Sequence, residues 1–459
     1  MVPRPSLACP VVVLFLLSSA SNALAQTWTP VGPPGGQTVS ALLVDTRTPL
    51  RIYVGTSTNG VFVSTDSGAS WATSNNGLTS LTVTALAAYQ PPSPPGVPPP
   101  TPLLYAGTSS GGVFRSISQG ATWLATNFGL TNQSITALAV DPASGYLYAA
   151  TQNGVFKSTD NATNWTAINN GLGTGFAVKS LAIDPQNGQV LYAGRDLFLF
   201  KTTDGGGSWT KVLTQTDSTF TSIAIDPGVP STVYAGGAFI GLGPPGSPGV
   251  LIKSIDGGLT WYASSNGLGN LLIHAIVIDQ AANARVYLAT SAGVYTTQNF
   301  GATWLATNAG LTDLDVRSFA IASTSPSTLY AGTGQSGVFR AVAEPIGACA
   351  VTPTSLCLSS SRFRVEVAWS VPAQGTSGQG QAIPLSTDTG AFWFFSNANY
   401  ELMIKVLDGR AVNGHIWVFY GSLSNVQYTI MVTDTQTGAV KTYENPSGTL
   451  ASVADVLAF

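Results

Sequence analysis

Four aspartates, Asp196, Asp217, Asp313 and Asp315, fall outside every recurring pattern in the chain. Paired carboxylates can cleave a glycosidic bond as acid and base, at about 5–5.5 Å for retention or about 6.5–9.5 Å for inversion. Arg195 stands beside Asp196. The Gly/Pro-rich stretch 236–250 adds Phe239, Ile240 and Leu242 as further candidate binding residues. The competing reading is that these aspartates are ordinary solvated turn formers. His274 and His415 are the only histidines, which argues against a His-based triad and a structural zinc site. No metal and no cofactor is expected.

A repeat must position these residues. The phrase Leu-Tyr-Ala-Gly-Thr…Gly-Val-Phe-x-Ser-x-Asp-x-Gly-x-x-Trp recurs between residues 51 and 342. Trp71, Trp123, Trp165, Trp209, Trp261 and Trp304 close successive copies at spacings of 42–52 residues. Short alternating apolar runs and Gly/Asn/Asp turns at a period of about 40–50 residues mark the blades of a β-propeller. Each unit reads as four strands: an Ala-Leu-Ala-Val-Asp type, a Tyr-led strand, a Gly-Val-Phe strand and a tryptophan strand. Seven Tyr-led strands (Tyr53, Tyr105, Tyr148, Tyr192, Tyr234, Tyr287, Tyr330) meet only six downstream tryptophans. Gln26-Thr27-Trp28-Thr29-Pro30 has the form of the missing strand. The expectation is an all-β, seven-bladed propeller over 26–345, closed by its own N-terminus, which shields the sheet edges.

In that topology the aspartates sort by face. Asp66, Asp160, Asp204 and Asp256 belong to the turns before the tryptophans, and Asp45, Asp141, Asp184, Asp226 and Asp279 end first strands. Both groups belong to one face. Asp196, Asp217, Asp313 and Asp315 belong to loops of the other. His274 falls in a first strand near the central axis, where a hydrogen-bonded structural role is expected.

The turn stands as Ser64-Thr65-Asp66-Ser67-Gly68-Ala69-Ser70-Trp71 and Ser254-Ile255-Asp256-Gly257-Gly258-Leu259-Thr260-Trp261. It resembles the Asp-box, or bacterial neuraminidase repeat, of sialidases, xyloglucanase-type glycosidases, sortilin-like receptors and photosystem II assembly factors. The compact blades are most similar to the assembly-factor type. The resemblance implies structural roles for Asp66, Asp160, Asp204, Asp256 and for Trp28, Trp71, Trp123, Trp165, Trp209, Trp261 and Trp304. Sialidases also need an arginine triad and a Glu-assisted tyrosine, yet the span from Gln26 to Ala343 contains no glutamate. Sialidase activity is not expected.

The ends and the composition set the context. Met1-Val2-Pro3-Arg4, an apolar run from Val11 to Leu17 and Ala23-Leu24-Ala25 read as a secretory signal peptide cut after Ala25. No other stretch approaches the ~20 apolar residues of a membrane helix, so no membrane insertion is expected. Cys349 and Cys357 are the pair outside the leader, and an oxidising compartment makes a disulfide of them. Charged residues are 8% of the chain and the net charge is −3, which argues against nucleic acid. A neutral surface suits a protein or glycan partner.

Residues 346–459 form a second module. Arg362–Trp369, Phe392–Phe395, Leu402–Leu407, His415–Tyr420, Val426–Thr433 and Ala439–Tyr443 read as strands of an antiparallel β-sandwich of about seven strands. Phe392-Trp393-Phe394-Phe395 through Gly414-His415-Ile416-Trp417-Val418-Phe419-Tyr420 resembles a C-terminal module of exported proteins of Acidobacteria-like bacteria. Trp393, Trp417, Phe419 and Tyr420 are expected in the sandwich core, with a sugar-stacking platform as the alternative.

Two functions follow as expectations. One is an exported, non-catalytic binding or scaffold propeller that uses its inter-blade-loop face. The other is a secreted, two-aspartate, xyloglucanase-like glycoside hydrolase.

Overall fold

The computed structural model describes residues 26–459 other than 34, 94–95, 97, 99, 174, 240–249, 270, 280–284, 298–300, 302, 325, 344–348, 350–351, 360–361 and 436–438. Residues 1–25, expected to be a signal peptide, and Ile240 and Leu242 lie outside the described residues.

The strands that begin each unit surround a common axis. Val39–Val44, Val83–Tyr89, Ile135–Val140, Ser180–Asp184, the second half of Thr210–Ile225, Ile273–Ile278 and Val316–Ala322 each lie against the next, and the last lies against the first. Each is followed outward by antiparallel partners, in five four-stranded sheets and one seven-stranded sheet that spans two units, among the described residues. The outermost strand of the seventh unit is Thr29–Gly32, which pairs with Val338–Val342 in the register Thr29↔Arg340 and Pro30↔Phe339. The N-terminus therefore closes the ring.

The Tyr-led strands are buried on both faces because a blade packs against each side of them. Ile52–Thr56, Leu147–Thr151 and Val286–Thr290 are buried at every position. This explains their continuous apolar sequence, where a half-buried strand would alternate. The threonine that ends such a strand then fastens the next hairpin. Thr56, Thr108, Thr151, Thr290 and Thr333 each donate Oγ1 to the carbonyl of Gly60, Gly112, Gly154, Gly293 or Gly337 at 2.8–3.0 Å.

The blades are joined by tryptophans. The indole N–H groups of Trp28, Trp71, Trp123, Trp165, Trp209 and Trp304 donate at 2.6–2.8 Å to carbonyls of the preceding blade. An Asn-x-Gly-Leu loop at 75–78, 127–130, 169–172 and 308–311 seals four of these junctions, and Ser265-Asn266-Gly267-Leu268 stands in for it at a fifth. Asn75 Oδ1 accepts the amide of Val61 at 2.7 Å, and Gly77, at φ 92°, presses against the carbonyl of Trp123.

Blade four departs from this plan. It lacks the Asn-x-Gly-Leu loop, and its outer strand runs on into the inner strand of blade five as Thr210–Ile225, so the two blades form one seven-stranded sheet. Trp261, at that junction, departs from the six propeller tryptophans above: its buried indole N–H has no hydrogen-bond partner among the described residues.

Where the turn before a tryptophan carries an aspartate, at Asp66, Asp160, Asp204 and Asp256, it consumes that carboxylate. Asp66 accepts from the Ser64 hydroxyl (2.8 Å) and from the amide and hydroxyl of Ser70 (2.8 and 2.5 Å). The Ser70 hydroxyl leads in holding the carboxyl of Asp66 down at about 2. Asp204, led by Thr202, and Asp256, led by Thr260, are likewise held at about 2, and Asn164 lowers Asp160.

Beyond the ring, ten strands form two five-stranded sheets. Their inner faces share one core that includes Leu356, Phe363, Val365, Phe392, Ile404, Val418 and Ile430. The sequence pattern does not reveal short edge strands such as Thr376–Gln379 and Ser452–Asp455. It also misplaces three aromatics. In Ile416–Ser422 the buried set is Ile416, Val418 and Tyr420, so Trp417 and Phe419 face outward, as does the half-buried Trp393 at the end of its strand. Both alternating sets are apolar, and periodicity alone does not choose between them.

Cys349, beyond the last propeller strand, forms a disulfide with Cys357 in the sandwich strand Ser355–Leu358. On a loop-closure model such a short ring contributes about 2–3 kcal/mol. Protein lacking residues 1–25, denatured and alkylated without reduction, is expected to show no alkylated cysteine by intact mass. Two alkyl groups would refute the bond.

Candidate functional site

The innermost strands carry a repeated irregularity. A β-bulge falls between Val39 and Ala41, Val83 and Ala85, Ile135 and Ala137, Phe220 and Ser222, Ile273 and Ala275, and Val316 and Ser318. A bulge re-aims the extra side chain. The residues at these places are Ser40, Thr84, Thr136, Thr221, His274 and Arg317, and Lys179 holds the corresponding place before Ser180–Asp184. One ring around the axis, on the loop face, is thus built from seven equivalent positions.

Four of the seven are hydroxyls that bond blade to blade. Ser40, Thr84, Thr136 and Thr221 donate at 2.5–2.8 Å to the carbonyls of Val83, Ile135, Val178 and Ile273. In blades four and seven the following serine takes over that bond, Ser180 to Phe220 at 2.8 Å and Ser318 to Val39 at 3.0 Å. Lys179 and Arg317 are then available for carboxylates. Lys179 Nζ lies 2.8 Å from Asp196 Oδ1, and Arg317 Nε lies 2.8 Å from Asp315 Oδ2. In blade six His274 Nε2 lies 3.4 Å from Asp315 Oδ1. Burial pulls the imidazole below its ordinary value, and Asp315 opposes that shift. A neutral imidazole is the resulting state at neutral pH.

The four aspartates singled out from the sequence are thus placed as follows. Asp315 joins His274 and Arg317 at the seam between blades six and seven. Asp313 is a turn fastener, accepting the amides of Gln335 (2.7 Å), Ser336 (3.1 Å) and Asp315 (3.1 Å). Asp196 and Asp217 do not lie in loops. Asp196 opens the strand Asp196–Thr202 and Asp217 lies within Thr210–Ile225, because the continuous strand of blades four and five replaces the loop expected there. Lys179 lowers the carboxyl of Asp196 against the effect of burial, which is the largest single influence on it. Asp196 and Asp315 belong to blades four and seven, with blades five and six between them.

Arg195 is buried rather than displayed, at 6% exposure. It donates to the carbonyl of Leu172 at 2.6 Å, and its guanidinium lies 4.2 Å from the ring of Phe176 and 5.5 Å from that of Phe200. The group presented to solvent there is Phe176, 57% exposed. Phe239 ends the strand Val233–Phe239. Sequence reasoning passes over Lys179 and gives Arg317 no role. Alignment of the first strands on their leading buried residue is the signal that finds both.

No family model and no curated protein matches the sequence. Solved structures do match. The chain is similar to an ancestral GH74 enzyme at 15% identity and a TM-score of 0.53, covering 92% of this chain and 63% of that one. It is similar to a GH74 enzyme of Niastella koreensis at 18% identity and a TM-score of 0.53, covering 94% of this chain and 73% of that one. YCF48 bound to D1 peptide aligns at 12% identity and a TM-score of 0.52, covering 71% of this chain and 97% of that one. At these identities the likeness establishes a β-propeller fold. The chain spans a little under two thirds of the first enzyme's length.

Proposed function

We propose that this chain is an exported, non-catalytic binding propeller that recognises a protein or glycan through its inter-blade-loop face. Its Ser-x-Asp-x-Gly-x-x-Trp turns are Asp-boxes with purely structural duties. Residues 1–25 are its leader, 26–345 its propeller and 346–459 its sandwich module.

The observation that carries the reading is how the loop-face carboxylates are engaged. Asp313 holds backbone amides, while Asp196 and Asp315 neutralise cations on blades separated by two others. Hydrolysis needs two carboxyl groups facing one bond, one of them able to hold a proton. What the ring offers is a rim of mixed charge with an exposed Phe176 nearby, which is the chemistry of recognition. One structural neighbour carries a bound peptide, which supports the protein reading.

The test pairs two assays on the chain without residues 1–25. Incubation with a panel of neutral polysaccharides is expected to release no reducing ends. Peptide and glycan arrays are expected to give saturable binding that weakens about tenfold in Lys179→Glu/Arg317→Glu, as loss of charge pairing across an interface does. Release of reducing ends that disappears in Asp196→Asn and Asp315→Asn would establish the hydrolase instead.

A further inference from the structure

On the opposite side of the ring, a cavity of about 650 Å³ separates blade five from the outer face of one sandwich sheet. That size lies within the roughly 300–1,000 Å³ of pockets for small molecules. One wall is the outer hairpin of blade five, where Lys253 and Tyr262 sit directly opposite each other. The other wall is a patch in which Glu366 faces Met431 and Met431 faces Thr442, with Glu444 two residues along the same strand.

The polar groups of this cavity are compensated in charge. Glu366 Oε2 lies 3.3 Å from Arg364 Nε. Burial pulls the ammonium of Lys253 below its ordinary value, the negative charges of Asp226 and Glu444 oppose that shift, and its Nζ lies 5.4 Å above the ring of Tyr234. An ionic ligand would have to displace one of these partners and leave a half-buried charge exposed to poor solvation, which is costly. A neutral ligand with many hydroxyls meets no such cost, because carboxylates and threonine offer acceptors and donors in several directions.

The apolar component is equally specific. Tyr262 is 58% exposed although it lines the cavity between blade five and the sandwich, and Ile255 on the same wall is 47% exposed. Blade five has placed a large aromatic where nothing in its own sheet covers it. A flat ring bordered by carboxylates and hydroxyls complements a pyranose, whose C–H face is apolar and whose rim is hydroxylated.

We propose that the cavity between blade five and the sandwich is a binding site for a short neutral saccharide, stacked on Tyr262 and hydrogen-bonded by Glu366, Thr442 and Glu444. The site is independent of the loop-face reading, since it shares no residue with it. It also gives the sandwich a role, because that module supplies half of a binding site that the propeller alone leaves open.

The test is saturation-transfer NMR and calorimetry on the chain without residues 1–25. The probes are cellobiose, maltose, xylobiose and N,N′-diacetylchitobiose, with digalacturonate as the charged comparator. At least one neutral disaccharide is expected to bind saturably, while digalacturonate does not. Affinity is expected to fall by about tenfold or more in Tyr262→Ala and in Thr442→Trp. Asp313→Asn, on the far face, should leave it unchanged. Thr442 is exposed, so Thr442→Trp fills the cavity without disturbing a core and keeps the test valid if Tyr262→Ala is unstable. No binding by any neutral probe, preferential binding of digalacturonate, or full affinity in Thr442→Trp overturns the proposal.

Discussion

A chain shortened by residues 26–34 is expected to melt at least about 10 °C below the chain that keeps them, and to aggregate. Trp28 is 1% exposed, donates its indole N–H to Thr307 at 2.6 Å and its amide to Ala309 at 2.8 Å, and meets the edge of Phe319 at 6.0 Å. Truncating such a side chain to alanine costs about 3–5 kcal/mol, a large part of the roughly 5–15 kcal/mol that typically separates folded from unfolded. Removing the strand adds a second cost, because the edge of Val338–Val342 loses its partner. Differential scanning calorimetry and light scattering on the two proteins provide the measurement. Equal melting and equal solubility would falsify the closing role of the N-terminus.

Gly77→Ala is expected to destabilise by more than about 3 kcal/mol. At φ 92° any side chain is strained, and a Cβ there would lie 2.0 Å from the carbonyl oxygen of Trp123. That oxygen is backbone, fixed in the next blade, so neither side can yield cheaply. Gly175 provides the comparison: its φ is 81°, yet nothing lies within 4 Å of its Cβ position. Gly175→Ala should therefore show backbone strain alone, about 1–2 kcal/mol. Chemical denaturation of both variants separates the two contributions. Equal losses would mean that the close approach between blades contributes nothing. The same approach recurs at Gly129, Gly171, Gly267 and Gly310, the last against Trp28 itself.

The ring is legible in the sequence because each strand states its burial in its own letters. Tyr-Ala-Gly-Thr is buried on both faces and reads as an unbroken apolar run, and Trp28 declares itself by standing where a tryptophan strand is owed. The fusion of blades four and five is not legible. Thr214-Gln215-Thr216-Asp217-Ser218-Thr219 has the composition of a loop, and only the missing Asn-x-Gly-Leu hints that the chain does not turn there. Asp196 misleads for a related reason. It follows Gly194-Arg195 like a turn residue, but pairing with Thr219 extends its strand to the rim.

The loop-face ring is only half legible. Asp315 and His274 are conspicuous, one as an unplaced carboxylate and the other as a rare histidine. Lys179 reads as a surface residue of an amphipathic strand, and nothing within its own blade connects it to Arg317. Their kinship comes from the bulges, which are features of pairing and leave no local signature.

The continuous strand through blades four and five alters how the ring can come apart. In a circular array each unit leans on its two neighbours, and opening begins wherever a junction costs least. Six junctions here are held by side chains and short loops, so thermal fluctuation can part them by hinging. The seventh is spanned by one strand, Thr210–Ile225, that pairs within both blades, so parting it means unpairing one end of that strand. Built this way, the ring has five single staves and one double one, and opening is expected at a junction between single staves.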